Sequence, residues 1–451
     1  MRLRDRVGVT AGLLLNRLRG LDLVRGLDDA RARDRWSADQ LVEWRGRELA
    51  RLLASAARDV PYYRELSSES LSGPVGSLAS WPILRREDLK RAGRKMLSER
   101  ISSSQLFWSR TSGSSGKPVM IAHDRASAAY LRTIQRRSFL RFGVDPLETR
   151  VMLLAAPLGR RASLRSQVVD LISGRRLFEF HRLTPESLEH SSRFIARYRP
   201  ALVTAYPSVL GALCRVASDR GVDLANCGVR LLHTQSEMLV ETDRLAMRRA
   251  FGATPILDEY GCVEVGAMAY SCPAGGLHPS HDHVILELLA EDGRPASPGE
   301  TGRVVLTPLM AGGMPLIRYE LGDEAVWADG ECSCGLWPGM PVLQRVMGRR
   351  FERLRLPDGK EVSGGIVHFI MRKSGVLEVV REYFVLQRRD GRLEFSVSLE
   401  PGTGDSVRHR LIEAARQVLG PDLPITISLV DSVERSGRKR RYFASEWEQT
   451  G

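Results

Sequence analysis

The spacing of apolar side chains changes along the chain, and its first part has the spacing of helices. Residues 41–60 (LVEWRGRELARLLASAARDV) carry apolar residues at helical intervals, and Pro61 ends that stretch. A second helical stretch follows a turn at Pro82, in residues 81–97 (WPILRREDLKRAGRKML). Residues 1–105 are therefore predicted to be mainly helical.

Beyond residue 105 short apolar runs alternate with helical stretches. The runs that predict strands are VMLLAAP (151–157), ALVTAYP (201–207), VRLLHTQ (229–235) and TPILDEYG (254–261). Helical stretches such as SVLGALCRVASDRG (208–221) separate them. This alternation is typical of a mostly parallel sheet covered by helices, and ligands of such sheets bind beyond the carboxyl ends of the strands.

The alternation then gives way to period-two patterns and Gly/Pro turns in residues 284–330, which predict a β-rich subdomain. Residues 348–451 read as a separate small α+β unit. The predicted fold is α/β, with a large N-terminal domain (1–347) that has a mainly helical start (1–105), followed by a small α+β domain (348–451).

Composition narrows the class of ligand. The net charge is +13, and 43% of residues are hydrophobic, which is ordinary for a globular protein. A basic balance suits anionic ligands such as nucleotides and coenzyme A. The basic residues are mostly arginines spread along the chain, without a basic cluster interleaved with aromatic residues, so we expect no nucleic-acid partner.

The six cysteines and the first residues suggest a reducing compartment. So few cysteines in a long chain, with no signal-peptide pattern, favour the cytoplasm. The basic stretch at residues 1–26 has an apolar run too short to span a bilayer. Its pattern would allow an amphipathic helix on a membrane surface, but we expect it to pack onto the body of the protein instead.

The sharpest local signal is residues 110–124, RTSGSSGKPVMIAHD. Glycine lets a backbone approach phosphate closely, and hydroxyl and N–H groups bind its oxygens. A Walker A loop requires a glycine where Thr111 stands and Ser or Thr where Pro118 stands, which disfavours a P-loop kinase or GTPase. Alone, this segment would often be a solvated turn.

Further motifs follow in a constant order. They are QSE (235–237), DEYGCVEVG (258–266), RYELGD (318–323), GRR (348–350) and SGRKRRYF (436–443). Together with TSGSSGKP they resemble the adenylate-forming superfamily of acyl-CoA synthetases and firefly luciferase. VPYYREL (60–66), WPILRREDL (81–89) and MPLIRYELGD (314–323) are more similar to the phenylacetate–coenzyme A ligase branch and its capsular-polysaccharide-associated relatives. The resemblance covers roughly residues 55–445.

The resemblance implies a role for each matching residue. The predicted phosphate cradle consists of Thr111, Ser112, Gly113, Ser114, Ser115, Gly116 and Lys117. Ser236 and Glu237 would lie by the adenine, and Tyr260, followed by Gly261, would stack on it. Glu264 would hold Mg²⁺, Asp323 would accept both ribose hydroxyls, and Arg349 would lie close by. Lys439 would reach the α-phosphate and the carboxylate, although Arg438 just before it leaves the register open by one residue.

The implied reaction is ATP-dependent activation of a small carboxylic acid to acyl-AMP, with release of pyrophosphate. Transfer to a thiol follows, with coenzyme A as the expected acceptor. The resemblance also implies that residues 106–347 hold the nucleotide and acid sites and that residues 348–451 form a mobile lid. We expect the acid pocket near Tyr206, Gln235 and Tyr260. The alternatives are transfer to an amine or hydroxyl in polysaccharide or natural-product biosynthesis, or a non-catalytic nucleotide-binding homologue. A homodimer is compatible with the sequence.

Two departures from the family pattern bear on these alternatives. Val263 replaces a threonine, which removes a hydroxyl near the α-phosphate. At the expected hinge, GRRFER replaces Gly-Arg-Ser-Asp-Asp and brings in Phe351 and Glu352. Both changes bear on rate and domain rotation more than on the fold.

A separate cluster of candidate ligands predicts a structural zinc ion. Cys272 and His278 are followed by Cys332 and Cys334, and three thiolates with one imidazole suit tetrahedral zinc. His281 or His283 could replace His278. Cys214, Cys227 and Cys262 are instead expected to be buried structural thiols.

Overall fold

The structure is a computed structural model that describes residues 2–18, 24, 26–69, 78–110, 119–154, 170, 172–180, 183–350, 352–403, 406–433 and 440–446. The chain divides into two compact units. The first consists of Met1–Glu148, Ile172–Gly174 and Leu257–Val346, and the second of Thr149–Leu171, Arg175–Ile256 and Met347–Gly451. The predicted division at residues 347/348 stays a prediction.

Helices dominate the start of the first unit. They are α1 (Leu3–Leu18), α2 (Leu27–Ala32), α3 (Ala38–Asp59), α4 (Pro61–Glu69), α5 (Arg86–Ala92) and α6 (Arg125–Leu140). Ser37 caps α3 through a capping box with Gln40, which satisfies N–H groups at the first turn. Pro61, expected to end a helix, lies just beyond α3 and begins α4, because proline fits the first helical turn.

The strands of the first unit form a hairpin and an antiparallel sheet. The hairpin pairs β1 (Leu106–Arg110) with β2 (Met120–Asp124). The sheet contains β7 (Ile256–Cys262), β8 (Gly266–Ser271), β9 (Leu277–Pro279), β10 (Val284–Leu289), β11 (Thr301–Pro308), β12 (Tyr319–Trp327) and β13 (Leu343–Arg349). Their order is β10-β11-β12-β13-β9-β8-β7. A buried apolar core from both the helices and these strands holds the unit together.

The second unit opens with parallel strands. Its strands β3 (Arg150–Leu154), β4 (Arg175–Glu179), β5 (Leu202–Ala205) and β6 (Leu231–Gln235) lie in the order β6-β5-β3-β4. The intervening helices are α7 (Pro185–Tyr198), α8 (Pro207–Asp219) and α9 (Glu241–Phe251). All four residues of β5 are buried, as expected of a parallel strand covered on both faces.

The rest of the second unit is a smaller α+β module. Its elements are β14 (Arg353–Arg355), β15 (Glu361–Ser363), α10 (Ile366–Lys373), β16 (Val380–Gln387), β17 (Leu393–Leu399), α11 (Ser406–Leu419), β18 (Ile425–Leu429) and β19 (Phe443–Ser445). The four-stranded order is β18-β17-β16-β19. Ion pairs join this module to earlier helices of the unit, including Arg381 with Asp219 at 2.5 Å and Arg249 with Glu378 at 2.7 Å.

The predicted α/β class is confirmed, with parallel strands, a β-rich part and helices all present. The runs expected to form strands at residues 151–157, 201–207, 229–235 and 254–261 overlap β3, β5, β6 and β7. Among the described helices, none combines the length and the apolar character that a bilayer crossing requires.

Candidate active site

The predicted phosphate loop joins the two strands of the β1–β2 hairpin. Arg110, the last residue of β1, pairs with Met120, the first residue of β2. Residues 111–118, which include Thr111, Lys117 and the rest of the predicted cradle, lie outside the described residues. The strand residues on either side of this segment, Arg110 and Met120, are described and lie opposite each other.

The hairpin is tied to the turn between β7 and β8. The Nε2 atom of His123 lies 3.4 Å from the carbonyl oxygen of Val263, and since a carbonyl can only accept, Nε2 donates this hydrogen bond. Burial lowers the pKa of His123, while the Val263 carbonyl acts in the opposite direction. His123 is three residues from the start of β2, so the loop begins about 10 Å along the strand from this contact. The strand that follows the Gly/Ser segment therefore contacts the turn that bears Glu264.

Asp124 fixes the end of the same strand. Its carboxylate caps α6 by accepting a hydrogen bond from the Ser127 N–H at 2.9 Å. It also accepts from the N–H groups of Gly312 and Gly313, at 3.1 and 2.8 Å. A buried carboxylate with this many donors is rigidly positioned. The hairpin is consequently held at its base by both α6 and the 312–313 loop.

The β7–β8 turn needs glycine at two positions. A Cβ atom on Gly261 would lie 2.7 Å from the carbonyl oxygen of Gly266, too close for any other residue. Gly266 itself has φ of +73°, in the left-handed region that favours glycine. The turn presents Glu264, which is buried and whose Oε1 accepts a 3.4 Å hydrogen bond from the hydroxyl of Tyr319.

Tyr260 and Asp323 meet in the first unit. The Tyr260 hydroxyl donates a 2.9 Å hydrogen bond to Oδ2 of Asp323, which is 8% exposed. β7 and β12, which carry these residues, are separated in the sheet order by β8, β9 and β13. A flat sheet would hold them about 19 Å apart. The sheet is therefore curled, which brings these two residues, both predicted to contact the nucleotide, within hydrogen-bonding distance.

Ser236 and Glu237 follow β6 in the second unit. Ser236 has φ of +71°, an uncommon value for a residue with a side chain. The carboxylate of Glu237 accepts hydrogen bonds from the N–H groups of Ser208 and Arg440, at 3.3 and 2.9 Å. Burial raises the pKa of Glu237, and these hydrogen bonds act in the opposite direction. Glu237 thus links the start of α8 to the residue that follows Lys439.

A buried polar network holds the Arg440 segment in the second unit. Asp243, in α9, accepts hydrogen bonds from Arg215 at 2.9 Å and from the Tyr442 hydroxyl at 3.0 Å. The guanidinium of Arg440 lies 5.0 Å from the centre of the Tyr442 ring and 3.6 Å from a carboxylate oxygen of Glu382. Residues 434–439, with Lys439, lie outside the described residues. Arg440, the next residue along the chain, is held by the contacts given above.

The four predicted metal ligands converge. The Sγ atoms of Cys272 and Cys332 are 3.6 Å apart, and Sγ of Cys334 is 3.3 Å from Nε2 of His278. All four ligand atoms lie within 4.8 Å of one another. Tetrahedral zinc places its ligand atoms about 3.5–3.8 Å apart, so the set fits that ion. Burial lowers the pKa of His278 to about 4, which leaves a neutral imidazole that can bind a metal.

The alternative histidines lie in other surroundings. Nε2 of His281 donates to the carbonyl oxygen of Pro341 at 3.0 Å, and the His283 ring lies 5.6 Å from the ring of Tyr130. Cys214 and Cys227 are buried, and Cys262 is partly buried. Of the three candidate histidines, His278 is therefore the one that lies with the three cysteines.

Several residues that shape the site had no assigned role in the sequence analysis. His123 and Tyr319 contact Val263 and Glu264 of the predicted motif 258–266, and Asp124 binds the N–H group of Gly313, outside the predicted motifs. Asp124 carried a usable signal, because an aspartate directly before a helical stretch is a common N-cap. Arg349 is the last residue of β13. Of the hinge departures, Phe351 lies outside the described residues, and Glu352 pairs with Arg441 at 3.1 Å.

Comparison with known sequences identifies the family. The family model described as "AMP-binding enzyme" matches residues 73–311, which is more than half of the chain. The chain therefore belongs to the AMP-binding enzyme family of adenylate-forming ligases. The resemblance drawn from the ordered motifs is confirmed.

Two curated relatives are phenylacetate-coenzyme A ligases. The chain is 25% identical to that of Thermus thermophilus over 363 residues, covering 77% of this chain and 78% of the relative. It is 24% identical to that of Escherichia coli K12 over 338 residues, covering 70% and 73%. In structure it is similar to 2-hydroxyisobutyryl-CoA ligase in the postadenylation state with R3-HIB-AMP bound, with a TM-score of 0.75, 19% identity and 92% of each chain covered.

Proposed function

We propose that this protein activates a small carboxylic acid with ATP and transfers the acyl group to the thiol of coenzyme A. Family membership and the phenylacetate-coenzyme A ligases among its relatives support this reaction. The observation that carries it is the hydrogen bond from His123 to Val263. This hydrogen bond joins the strand that follows the Gly/Ser loop to the turn that bears Glu264. A triphosphate site built from the loop and the turn would require the two to lie close together.

The reaction has two steps. A carboxylate oxygen of the acid attacks the α-phosphorus of ATP, the bond from that phosphorus to the bridging oxygen breaks, and pyrophosphate leaves. The thiolate of coenzyme A then attacks the acyl carbon, a C–S bond forms, and AMP leaves with its oxygen. The thiol proton passes to solvent. Positioning and stabilisation of developing negative charge supply most of the catalysis in such transfers.

Each residue role follows from its chemistry. The loop from Thr111 to Lys117 binds the departing phosphates through N–H, hydroxyl and ammonium groups. Asp323 accepts from the ribose hydroxyls, and Tyr260 orients that carboxylate while its ring faces the adenine. Lys439 contacts the α-phosphate and the acid, and Glu237 binds the N–H group of Arg440, the next residue along the chain.

Magnesium fits the carboxylate of Glu264. Tyr319 bonds one of its oxygens, and no other hydrogen bond to this side chain is found within the described residues, so an oxygen remains for a hard cation. When bound, Mg²⁺ supplies positive charge at the phosphate oxygens. Cys272, His278, Cys332 and Cys334 would hold zinc, and because four protein ligands would leave no position for water, its role would be structural.

The test is pyrophosphate release and acyl-AMP formation with ATP and a panel of aryl and short-chain acids, followed by thioester detection with coenzyme A. Glu264→Gln should reduce pyrophosphate release by at least a hundredfold, whereas Glu291→Gln, in a loop of the same unit, should not. Acyl-AMP that is consumed by an amine or sugar but not by coenzyme A would overturn the thiol assignment. ATP binding without turnover of any acid would overturn the enzymatic one.

A further inference from the structure

Helix α1 (Leu3–Leu18) packs onto the first unit with its polar and small face. Its buried residues are Asp5, Gly8, Gly12 and Asn16. A Cβ atom on Gly12 would lie only 3.1 Å from the Leu147 side chain, which shows how closely the helix backbone approaches the body of the protein.

The end of the helix is fixed as well. Nδ2 of Asn16 donates to the Gly12 carbonyl oxygen at 2.7 Å, and Oδ1 of Asn16 accepts from Nη1 of Arg132 at 3.3 Å. Asp5 is 2% exposed near the other end. These contacts set the rotation of the helix about its axis and decide which face points outward.

The outward face is apolar. Leu3, Val7, Leu14 and Leu18 are 80%, 53%, 58% and 76% exposed. At about 100° per residue they fall within an arc of roughly 60°, nearly opposite the buried face. We call these four residues the outer stripe. Such a row is unfavourable in water, which points to a binding surface.

The charges beside the outer stripe indicate what covers it. Arg6 and Arg17 are exposed along one side of the stripe, and Arg4, which is half-buried, lies on the other side. Asp5 is the acidic residue of α1, and it is buried. If a second copy of the chain packed its outer stripe against this one, the arginines of the two copies would face and repel each other. Anionic phospholipid would take the leucines into its headgroup boundary and pair with the guanidinium groups.

We infer that α1 is an interfacial helix that binds the protein to the surface of anionic membranes through its outer stripe and flanking arginines. The helix lies in the plane of the interface, because its other face is occupied by the body of the protein. The arginine stems extend along the apolar boundary while their charged ends reach the phosphates. This inference is independent of the proposed reaction.

The test is cosedimentation of the full chain with phosphatidylcholine vesicles, with and without phosphatidylglycerol. We expect binding that requires phosphatidylglycerol and weakens as salt is raised. Val7→Glu with Leu14→Glu should reduce the affinity by at least tenfold. Arg6→Gln with Arg17→Gln should reduce it about fivefold for each arginine. Val42→Glu with Phe369→Glu, at exposed apolar positions on other helices, is the matched control and should bind as the parent does.

Three outcomes would overturn the inference. The full chain could fail to bind anionic vesicles, or the Val7/Leu14 variant could bind them unchanged. Light scattering could also find a dimer that this variant converts to a monomer, which would assign the outer stripe to a second copy. Circular dichroism serves as the folding control, and the arginine variant, altered only at exposed positions, keeps the test valid if the glutamate variant is unstable.

Discussion

The hydroxyl of Tyr260 donates a hydrogen bond to Oδ2 of Asp323 at 2.9 Å, across a sheet in which their strands are not neighbours. The contact orients a buried carboxylate that we propose to bind the ribose hydroxyls. The position of this carboxylate therefore depends on the curl of the antiparallel sheet.

Removing this contact should weaken ATP binding. Tyr260→Phe keeps the ring but deletes the donor, and a net loss of about 1 kcal/mol corresponds to roughly a fivefold rise in KM for ATP. Asp323→Ala should raise it tenfold or more, because hydrogen bonds to a charged group are lost. Tyr62→Phe, elsewhere in the same unit, is the control. Because the two residues touch, the double variant should lose less than the sum of the single losses; strict additivity would contradict the coupling.

Glu237 should act on the adenylation step. Glu237→Ala removes the acceptor of the Arg440 N–H next to Lys439. We expect acyl-AMP formation to slow about tenfold, which corresponds to roughly 1.4 kcal/mol, at the low end for hydrogen bonds to charged groups. Transfer from supplied acyl-AMP to coenzyme A should change little.

The control for Glu237 is Glu241→Ala, at the first turn of α9, where the carboxylate pairs with Arg244. Rates of both half-reactions are measured separately for each variant. An equal loss in both half-reactions, or a rise in KM for ATP with no change in kcat, would instead assign Glu237 to nucleotide binding alone.

The cysteine–histidine cluster should bind zinc. Metal analysis of the purified protein should find an equimolar amount, and Cys332→Ser should abolish it and lower the Tm, because structural zinc contributes directly to folding. Cys227→Ser, at a buried thiol outside the cluster, should retain the metal. Protein that contains no zinc and takes up none on titration would refute the site.

Asp282 should be a determinant of stability in acid. It is buried and accepts hydrogen bonds from Arg137, at 2.7 and 2.9 Å, and from Arg33 at 2.8 Å. Burial alone would raise the pKa of Asp282, but the charges of Arg137 and Arg33 hold it well below its usual range. A depressed folded-state pKa means that the stabilisation is complete above about pH 4, the unfolded value, and is lost as the pH falls below it.

Asp282→Asn should accordingly lower the free energy of unfolding by about 3–5 kcal/mol at neutral pH, because it removes the carboxylate that two buried arginines share and leaves Arg137 with only Asp34 as a counter-charge. The variant should also lose less stability than the parent below pH 4. Asp292→Asn, at an exposed ion pair with Arg294, should change stability by less than about 1 kcal/mol. Urea unfolding at a series of pH values measures both effects, and parallel pH profiles for parent and D282N would refute the assignment.

The local spacing of apolar residues predicted many of the helices and strands, because that spacing repeats at the period of the element that the residues form. The buried strand β5 and helices α3 and α8 lie where the apolar spacing indicated. The predicted metal ligands Cys272, His278, Cys332 and Cys334 also converge, although His278 and Cys332 are 54 positions apart in the chain.

What pattern could not predict depends on contacts between distant segments. The hydrogen bond from His123 to Val263 joins residues 140 positions apart. The hydrogen bond from Tyr260 to Asp323 requires the sheet to curl. The outward rotation of α1 also depends on tertiary contacts, because Leu147 and Arg132 decide which face is buried. A helix whose apolar residues point outward contradicts the usual rule for packing on a protein body.

The most direct measurement of the central claim is detection of acyl-AMP by mass spectrometry after incubation of the protein with ATP, Mg²⁺ and a panel of carboxylic acids. The account predicts acyl-AMP with at least one acid, formed with equimolar pyrophosphate, and its strong reduction in Glu264→Gln. Absence of acyl-AMP with every acid, from protein that binds ATP, would contradict it.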